Sequence, residues 1–389
     1  MNGKNFLVNA ICSLFLTATV ILSGCTELLP IEEADKDLMT RSETTEDLTV
    51  ENIHAEIYSI DTHCDTPMNF NASTNIGNWG SNKVDIPKMQ AGLLDATFMV
   101  AYLQQYALTD ATRQQKAIAE AESTLKEIIR QVEMNSNKAG IALSTDDLKL
   151  LKADGKRAIF LGLENGYAIG NDLKNIEKFA NMGVRYITLV HNGHNLICDS
   201  HTTNSLSNPA HNGVSAFGKE VIKEMDRLGI MIDISHASEK SSLDAVELSK
   251  HPIIASHSSA KALCNNSRNI SDNLMKAIAK KGGVVQVCLL SGFLKSSGTA
   301  TVKDAVAHIN HIVQTVGIDH VGIGSDFDGG GGISGANDAS ELANITAELM
   351  NQGYSKEEIA KIWGGNLMRV MDIVAGTTTG TSTGIPKIW

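Results

Sequence analysis

A chain of 389 residues with 42% hydrophobic and 20% charged residues has the make-up of an ordinary globular protein with a large core, enough for one catalytic domain. Its formal net charge of −11, without clustered Lys and Arg, argues against a nucleic-acid surface. None of its cysteines sits in a C-x-x-C pair, which leaves no zinc-ribbon or dithiol redox motif.

The N-terminus reads as a targeting segment: Lys4 precedes an apolar run from Phe6 to Leu22, and Ser23-Gly24-Cys25 follow. The run is short for a membrane span of about 20 residues. Its "LSGC" ending resembles the lipobox of bacterial lipoproteins. That resemblance implies a signal peptide over residues 1–24, a lipid-bearing Cys25, and stable anchoring of the mature protein to a membrane of a bacterial cell envelope. An ordinary secretory signal or a spanning helix is the alternative. Residues 25–51 are polar, acidic and nearly free of aromatics, as in a flexible tether. Of the other cysteines, Cys64, Cys198, Cys264 and Cys288 are expected to be buried thiols, and their spacing assigns no disulfide.

From 52 to 375 the chain alternates apolar β-branched runs with helical patterns. Strands are expected near 57–62, 95–101, 157–163, 184–190, 229–235, 252–256, 283–288 and 320–325. Helices are expected over stretches such as 111–134 and 215–229, the second stopping at Gly229. Eight strands with helical crossovers predict an α/β fold, a (β/α)8 TIM-like barrel of the metal-dependent hydrolase type. The tail 376–389, rich in Gly and Thr, is expected to be flexible.

Metal-ligand side chains recur where these strands end. His63 and Asp65 follow "IYSI" and project to one side of an extended chain, with Cys64 turned to the other. Glu164 ends "AIFLGLE", His236 ends "IMIDISH" and His257 ends "PIIASH". A lone histidine at such a place is most often a core residue. Five ligand types at four strand ends instead predict a binuclear hydrolytic site, because imidazoles and carboxylates suit zinc-like ions and a shared carboxylate can hold two ions about 3.5–4 Å apart. Glu164, central in the ligand order and with two oxygens to offer, is the bridge candidate. Water held between two such ions is expected to ionise near neutral pH and attack an amide carbonyl.

Duller and rival readings stand beside this one. Ser256, His257 and Ser258 could hint at a serine hydrolase, but no Gly-x-Ser-x-Gly elbow is present. His194, His201 and His211 read as a polar loop near the site rather than a further metal centre. The glycines of 328–332 lack the Lys-Ser/Thr of a phosphate loop and are expected to form a flexible loop. Residues 67–84, with Phe70 and Trp79, are expected at the substrate mouth.

The stretches "DTHCDTP", "VDIPKMQAG", "GLENG", "YITLVHNGHN", "DISHAS", "SHSSA", "SRNISD", "GIGSDFDG" and "GGNLMRV", in this order between about 57 and 372, resemble the membrane (renal) dipeptidase family. The resemblance implies a dipeptidase with two Zn2+, one held by His63 and Asp65, the other by His236 and His257, and both by Glu164. It also implies that His191 contacts the substrate and steadies the tetrahedral intermediate, and that Arg268 holds the substrate carboxylate. Asp326 matches the family's proton carrier, which also meets the substrate amine; Asp328, two residues on, is its competitor. The family further implies tolerance of a C-terminal D-residue and a homodimer. An N-acyl-amino-acid deacylase on the same site, or a lipoprotein that only binds peptides, are the remaining alternatives.

Overall fold

The structure, a computed structural model, describes residues 48–106, 111–202 and 208–376. The expected signal peptide, Cys25, the tether as far as 47 and the tail beyond 376 lie outside the described residues. The described chain opens with a helix, Val50–Glu56, capped by Thr49, whose hydroxyl accepts from the Asn52 amide at 3.2 Å. Helical backbone therefore begins just ahead of residue 52, the expected edge of the domain.

The apolar, β-branched runs become parallel strands: β1 (Ile60–Cys64), β2 (Ala96–Tyr102), β3 (Ala139–Ile141), β4 (Arg157–Glu164), β5 (Val184–Thr188), β6 (Met231–Asp233), β7 (Ile254–Ala255), β8 (Val284–Cys288) and β9 (Val321–Gly324). The order β1-β2-β4-β5-β6-β7-β8-β9 follows the chain, as successive right-handed crossovers require. These eight are the expected strands. The ninth, β3, pairs with the N-terminal half of β4 from Ala139↔Arg157 to Ile141↔Ile159, on the edge that β5 takes over at Leu161↔Val184. Helices cover the outside, among them Ala111–Glu133 and Ala216–Leu228, the second ended by Gly229 at φ 68°. The result is a nearly closed (β/α)8 barrel.

The seam between β1 and β9 carries no regular ladder. Asp326 N donates to His63 O at 3.0 Å and Asp65 N to Phe327 O at 2.7 Å. The buried Asp61 carboxylate completes the seam, accepting from Ser325 N at 2.7 Å and Ser325 Oγ at 2.6 Å.

Alternation along each strand sorts side chains between barrel interior and helix layer. Ala158 and Phe160 of β4 join Phe98, Val100 and Tyr186 in an inner cluster, while Ile159, Leu161 and Leu163 join the outer core. Leu367, Met371 and Val374 of the helix Asn366–Ala375 pack on this inner cluster beside Ile60, Met231, Ile254 and Val284, residues that begin their strands. The N-terminal end of the barrel is thus plugged. Glu164 has the parity of Ala158 and Phe160, and so faces inward at the opposite, C-terminal end, where such barrels build their sites.

Candidate active site

β1 reaches this end with an irregular step. Its register against β2 shifts between Asp61 and Cys64, so that Ile60 packs in the inner cluster whereas Cys64 packs in the outer one. A bulge of this kind re-aims a side chain. Here it turns His63 inward, and Cys64 Sγ outward to accept from Thr97 Oγ1 at 3.6 Å. His236 and Asp326 are aimed by a different device, positive backbone angles of φ 67° and 60°. Such conformations cost about 1–3 kcal/mol each in non-glycine residues and gather where a site demands them.

The five ligand candidates meet around the Glu164 carboxylate. Glu164 Oε2 lies 3.6 Å from His63 Nε2, and Oε1 lies 3.0 Å from His236 Nε2 and 3.5 Å from His257 Nε2. Asp65 Oδ2 is 3.4 Å from His63 Nε2. Three overlapping ligand groups result: His63, Glu164 and His257; Glu164, His191 and His236; and His63, Asp65 and Asp326.

Hydrogen bonding behind the histidines fixes which nitrogen points inward. Tyr186 OH gives its proton to Thr62 O at 3.1 Å, so toward His63 Nδ1, 2.7 Å away, it can only accept. Ser256 Oγ likewise gives its proton to Asp233 Oδ2 at 2.7 Å and accepts from His257 Nδ1 at 2.7 Å. Asn192 Oδ1, which only accepts, faces His236 Nδ1 at 3.0 Å. Each ring therefore carries its proton on Nδ1 and turns the Nε2 lone pair into the cluster, the form that binds a metal. Two of these lone pairs, on His236 and His257, are only 3.1 Å apart.

The same space lacks positive charge. His63 Nε2 and Asp65 Oδ1 are buried without a hydrogen-bond partner. Burial, and then the Asp65 charge, push the Asp326 carboxyl well above its usual range, and Asp65 is raised by burial and by Glu164. Burial would lower His63, but the Glu164 and Asp65 carboxylates outweigh it and draw a proton to the place a cation would take. Three carboxylates and three inward lone pairs, packed together with two orphaned polar atoms, fit divalent ions of the zinc type.

The cluster floors a cavity of ≈ 430 Å3 bordered by Met68, Tyr102, His191, Arg268, Phe293 and Asp326, among others. His191 stands edge-on to Tyr102 at 4.9 Å and reaches to 3.9 Å from Glu164 Oε1; burial, then the charge of Arg268, hold it down at about 3. Arg268 is buried, with one terminal amino group donating to Ser258 Oγ and the other to His257 O, both at 3.2 Å. Its Nε has no hydrogen-bond partner. Asp326 and Asp328 both border the cavity, but the Asp328 carboxylate is committed to the scaffold, accepting from Thr66 Oγ1 at 2.6 Å and from Lys83 N at 3.0 Å. That difference favours Asp326 over Asp328 as the proton carrier.

Several loop expectations change. The glycines after Asp328 are tied down: Gly329 N and Gly331 N donate to Asp326 O, and Gly332 N to Leu289 O at 2.8 Å. A Cβ on Gly329 would lie 2.0 Å from Asp65 Oδ2, so a side chain there would enter the ligand cluster. Of residues 67–84, Met68 borders the cavity, but Phe70 packs on the core and Trp79 is 60% exposed away from it. Among the loop histidines only His201 borders the cavity; His194 pairs with Asp199 at 2.8 Å and His211 Nε2 lies 2.8 Å from Asn195 O. Cys64, Cys198, Cys264 and Cys288 are free and buried. Tyr102, Tyr186, Asn192 and Asp233 were not singled out by the sequence reading, and Ser256 was weighed only as a nucleophile, not as the partner of His257. A weak signal exists for two of them, since Asn192 and Ser256 adjoin His191 and His257 in the chain.

Residues 48–383 match the family model described as membrane dipeptidase (peptidase family M19). The chain is 32% identical over 322 residues to dipeptidase tcpJ of Claviceps purpurea, covering 79% of this chain and 74% of that protein. It is also 32% identical over 338 residues to an uncharacterised dipeptidase of Schizosaccharomyces pombe, covering 82% and 80%. Among solved structures, a probable dipeptidase of Pseudomonas aeruginosa, PvdM, superposes with a TM-score of 0.79 at 29% identity over 84% of this chain and 98% of the other.

Proposed function

The chain belongs to the membrane dipeptidase family, peptidase family M19, a family of metallodipeptidases, and from this we propose that it is a two-zinc dipeptidase of a bacterial envelope. The observation that carries the metal count is Glu164, whose two oxygens face different histidines, Oε2 toward His63 and Oε1 toward His236 and His257. His63 and Asp65 would hold one ion, His236 and His257 the other. Bound zinc supplies two things, a water acidic enough to ionise near neutral pH and a Lewis acid for the scissile carbonyl.

The protein's own groups do the rest. Arg268, which borders the cavity, holds the C-terminal carboxylate of the dipeptide and fixes the peptide bond over the cluster. His191 is neutral at physiological pH, so its ring N–H donates a hydrogen bond to the oxygen that gains charge as the carbonyl is attacked. Asp326 takes the proton released by the attacking water and returns it to the leaving amine, and its carboxyl is available to the substrate's own ammonium group. A cavity of ≈ 430 Å3 has room for a C-terminal residue of either configuration. A C-terminal D-residue is therefore accommodated, and peptides from cell-wall turnover are a natural source. The lipid on Cys25 would keep the enzyme at the membrane.

The test is hydrolysis of L-L and L-D dipeptides, each with its N-acetylated counterpart, by the full chain with added zinc. Free dipeptides should be cleaved, activity should vanish with chelator, and two zinc ions should be found per chain. Asp326→Asn should lower kcat by about 10²–10⁴-fold with zinc retained. Cleavage of the acylated forms alone would make it a deacylase, and no cleavage with two ions bound would make it a binding protein.

A further inference from the structure

A second, smaller cavity of ≈ 140 Å3 adjoins the first, with His201, His236 and Arg268 bordering both. From it we infer that this side cavity receives the side chain of the substrate's C-terminal residue and that Glu239 and Lys261 make it selective for a carboxamide, as in glutamine or asparagine. The inference rests on the dipeptidase reading, and specifically on Arg268 as the carboxylate anchor.

Arg268 fixes the position. It borders both cavities, and its recorded hydrogen bonds, to Ser258 Oγ and His257 O, use only two of its five N–H groups. A residue anchored at Arg268 sits at the junction of the two cavities, with its peptide nitrogen toward the ligand cluster and its side chain free to enter the smaller space.

Size and chemistry define the side chain. At ~30 Å3 per water, the cavity has room for roughly four or five waters, enough for the carboxamide arm of glutamine. Its wall carries an acceptor and a donor of opposite charge, Glu239 and Lys261. Ser271 Oγ donates to Glu239 Oε1 at 2.7 Å and so positions that carboxylate. A carboxamide offers N–H to Glu239 and C=O to Lys261, satisfying both. A carboxylate or an ammonium side chain would match one and be repelled by the other, and an aliphatic one would pair with neither.

The experiment compares kcat/KM for Ala-Gln, Ala-Asn, Ala-Leu, Ala-Glu, Ala-Lys and Ala-Trp, using the zinc-loaded full chain and its Glu239→Ala and Lys261→Ala variants. Gln-Ala and Leu-Ala serve as the N-terminal control. The wild type is expected to favour Ala-Gln over Ala-Leu by roughly tenfold, and each variant to bring that ratio near unity while the Gln-Ala to Leu-Ala ratio holds. Two folded variants with opposite charge changes guard against a simple folding defect. A wild type that favours Ala-Leu, or variants whose C-terminal profile equals that of the wild type, would overturn the inference and leave the dipeptidase reading intact. If no dipeptide is cleaved at all, the dipeptidase reading itself fails and the inference goes with it.

Discussion

Ser256 is the residue on which the orientation of His257 turns. Its single proton goes to Asp233, a fully buried carboxylate that also accepts from Thr188 Oγ1 at 2.6 Å and from the amides of Ser235 and Ser256. Removing the hydroxyl frees the imidazole to take either tautomer and strips it of the charge that Asp233 conveys. Ser256→Ala should therefore weaken zinc binding about 10–100-fold, measured by competition with a chromophoric chelator. Ser256→Thr, which keeps the hydroxyl, should restore most of that affinity. Asp233 escaped the sequence reading, and Ser256 was read only as a nucleophile, because both lie inside apolar runs where little but packing is announced. Glu164, His236 and His257 were legible because each closes such a run, and His63 and Asp65 because they share one side of an extended chain. The bulge in β1 and the positive φ angles of His236 and Asp326 were not, since they depend on contacts with distant strands.

At the scale of elements, the opening helix Val50–Glu56 is pinned by His54. His54 Nδ1 donates to Leu93 O, which can only accept, at 2.9 Å, so the neutral ring accepts at Nε2 from the Thr346 hydroxyl 2.7 Å away, whose oxygen also accepts from Trp363 Nε1 at 2.7 Å. The ring is neutral by construction, and burial lowers its pKa below the ordinary histidine value. In the unfolded chain the same ring titrates near 6.5. Above that pH both states are neutral and the network is intact; as pH falls through about 6.5 the unfolded chain takes up the proton first, so stability is lost toward acid. The urea midpoint should fall between pH 7.5 and 5.5 by more in the wild type than in His54→Gln. The expected difference in slope is at most ~1.4 kcal/mol per pH unit, one proton's worth. The strand order itself was readable from alternating runs, but β3 was not. Its three residues, Ala139–Ile141, are too short to show a period and owe their pairing to the edge of β4 that β5 leaves bare.

For the whole molecule the open question is where it resides. No helix among the described residues is long and apolar enough to cross a membrane. The segment ending at Cys25 is the candidate anchor. Cells producing the natural chain should yield it in the detergent phase on Triton X-114 partition, whereas Cys25→Ala should send the cleaved protein to the aqueous phase or leave the precursor unprocessed. An aqueous wild-type protein would sink the lipoprotein reading without touching the chemistry.

The seam of the barrel has one more implication. β1 and β9 are joined mainly by Asp61 and by the chain segments that carry His63, Asp65 and Asp326, so the place where the wall is least regular is also the place where the site's ligands stand. An ion held between His63 and Glu164 would tie the end of β1 to the end of β4 across the mouth of the barrel, bracing one flank of the opening from inside. Loss of metal would then loosen the strand that borders the least regular part of the wall.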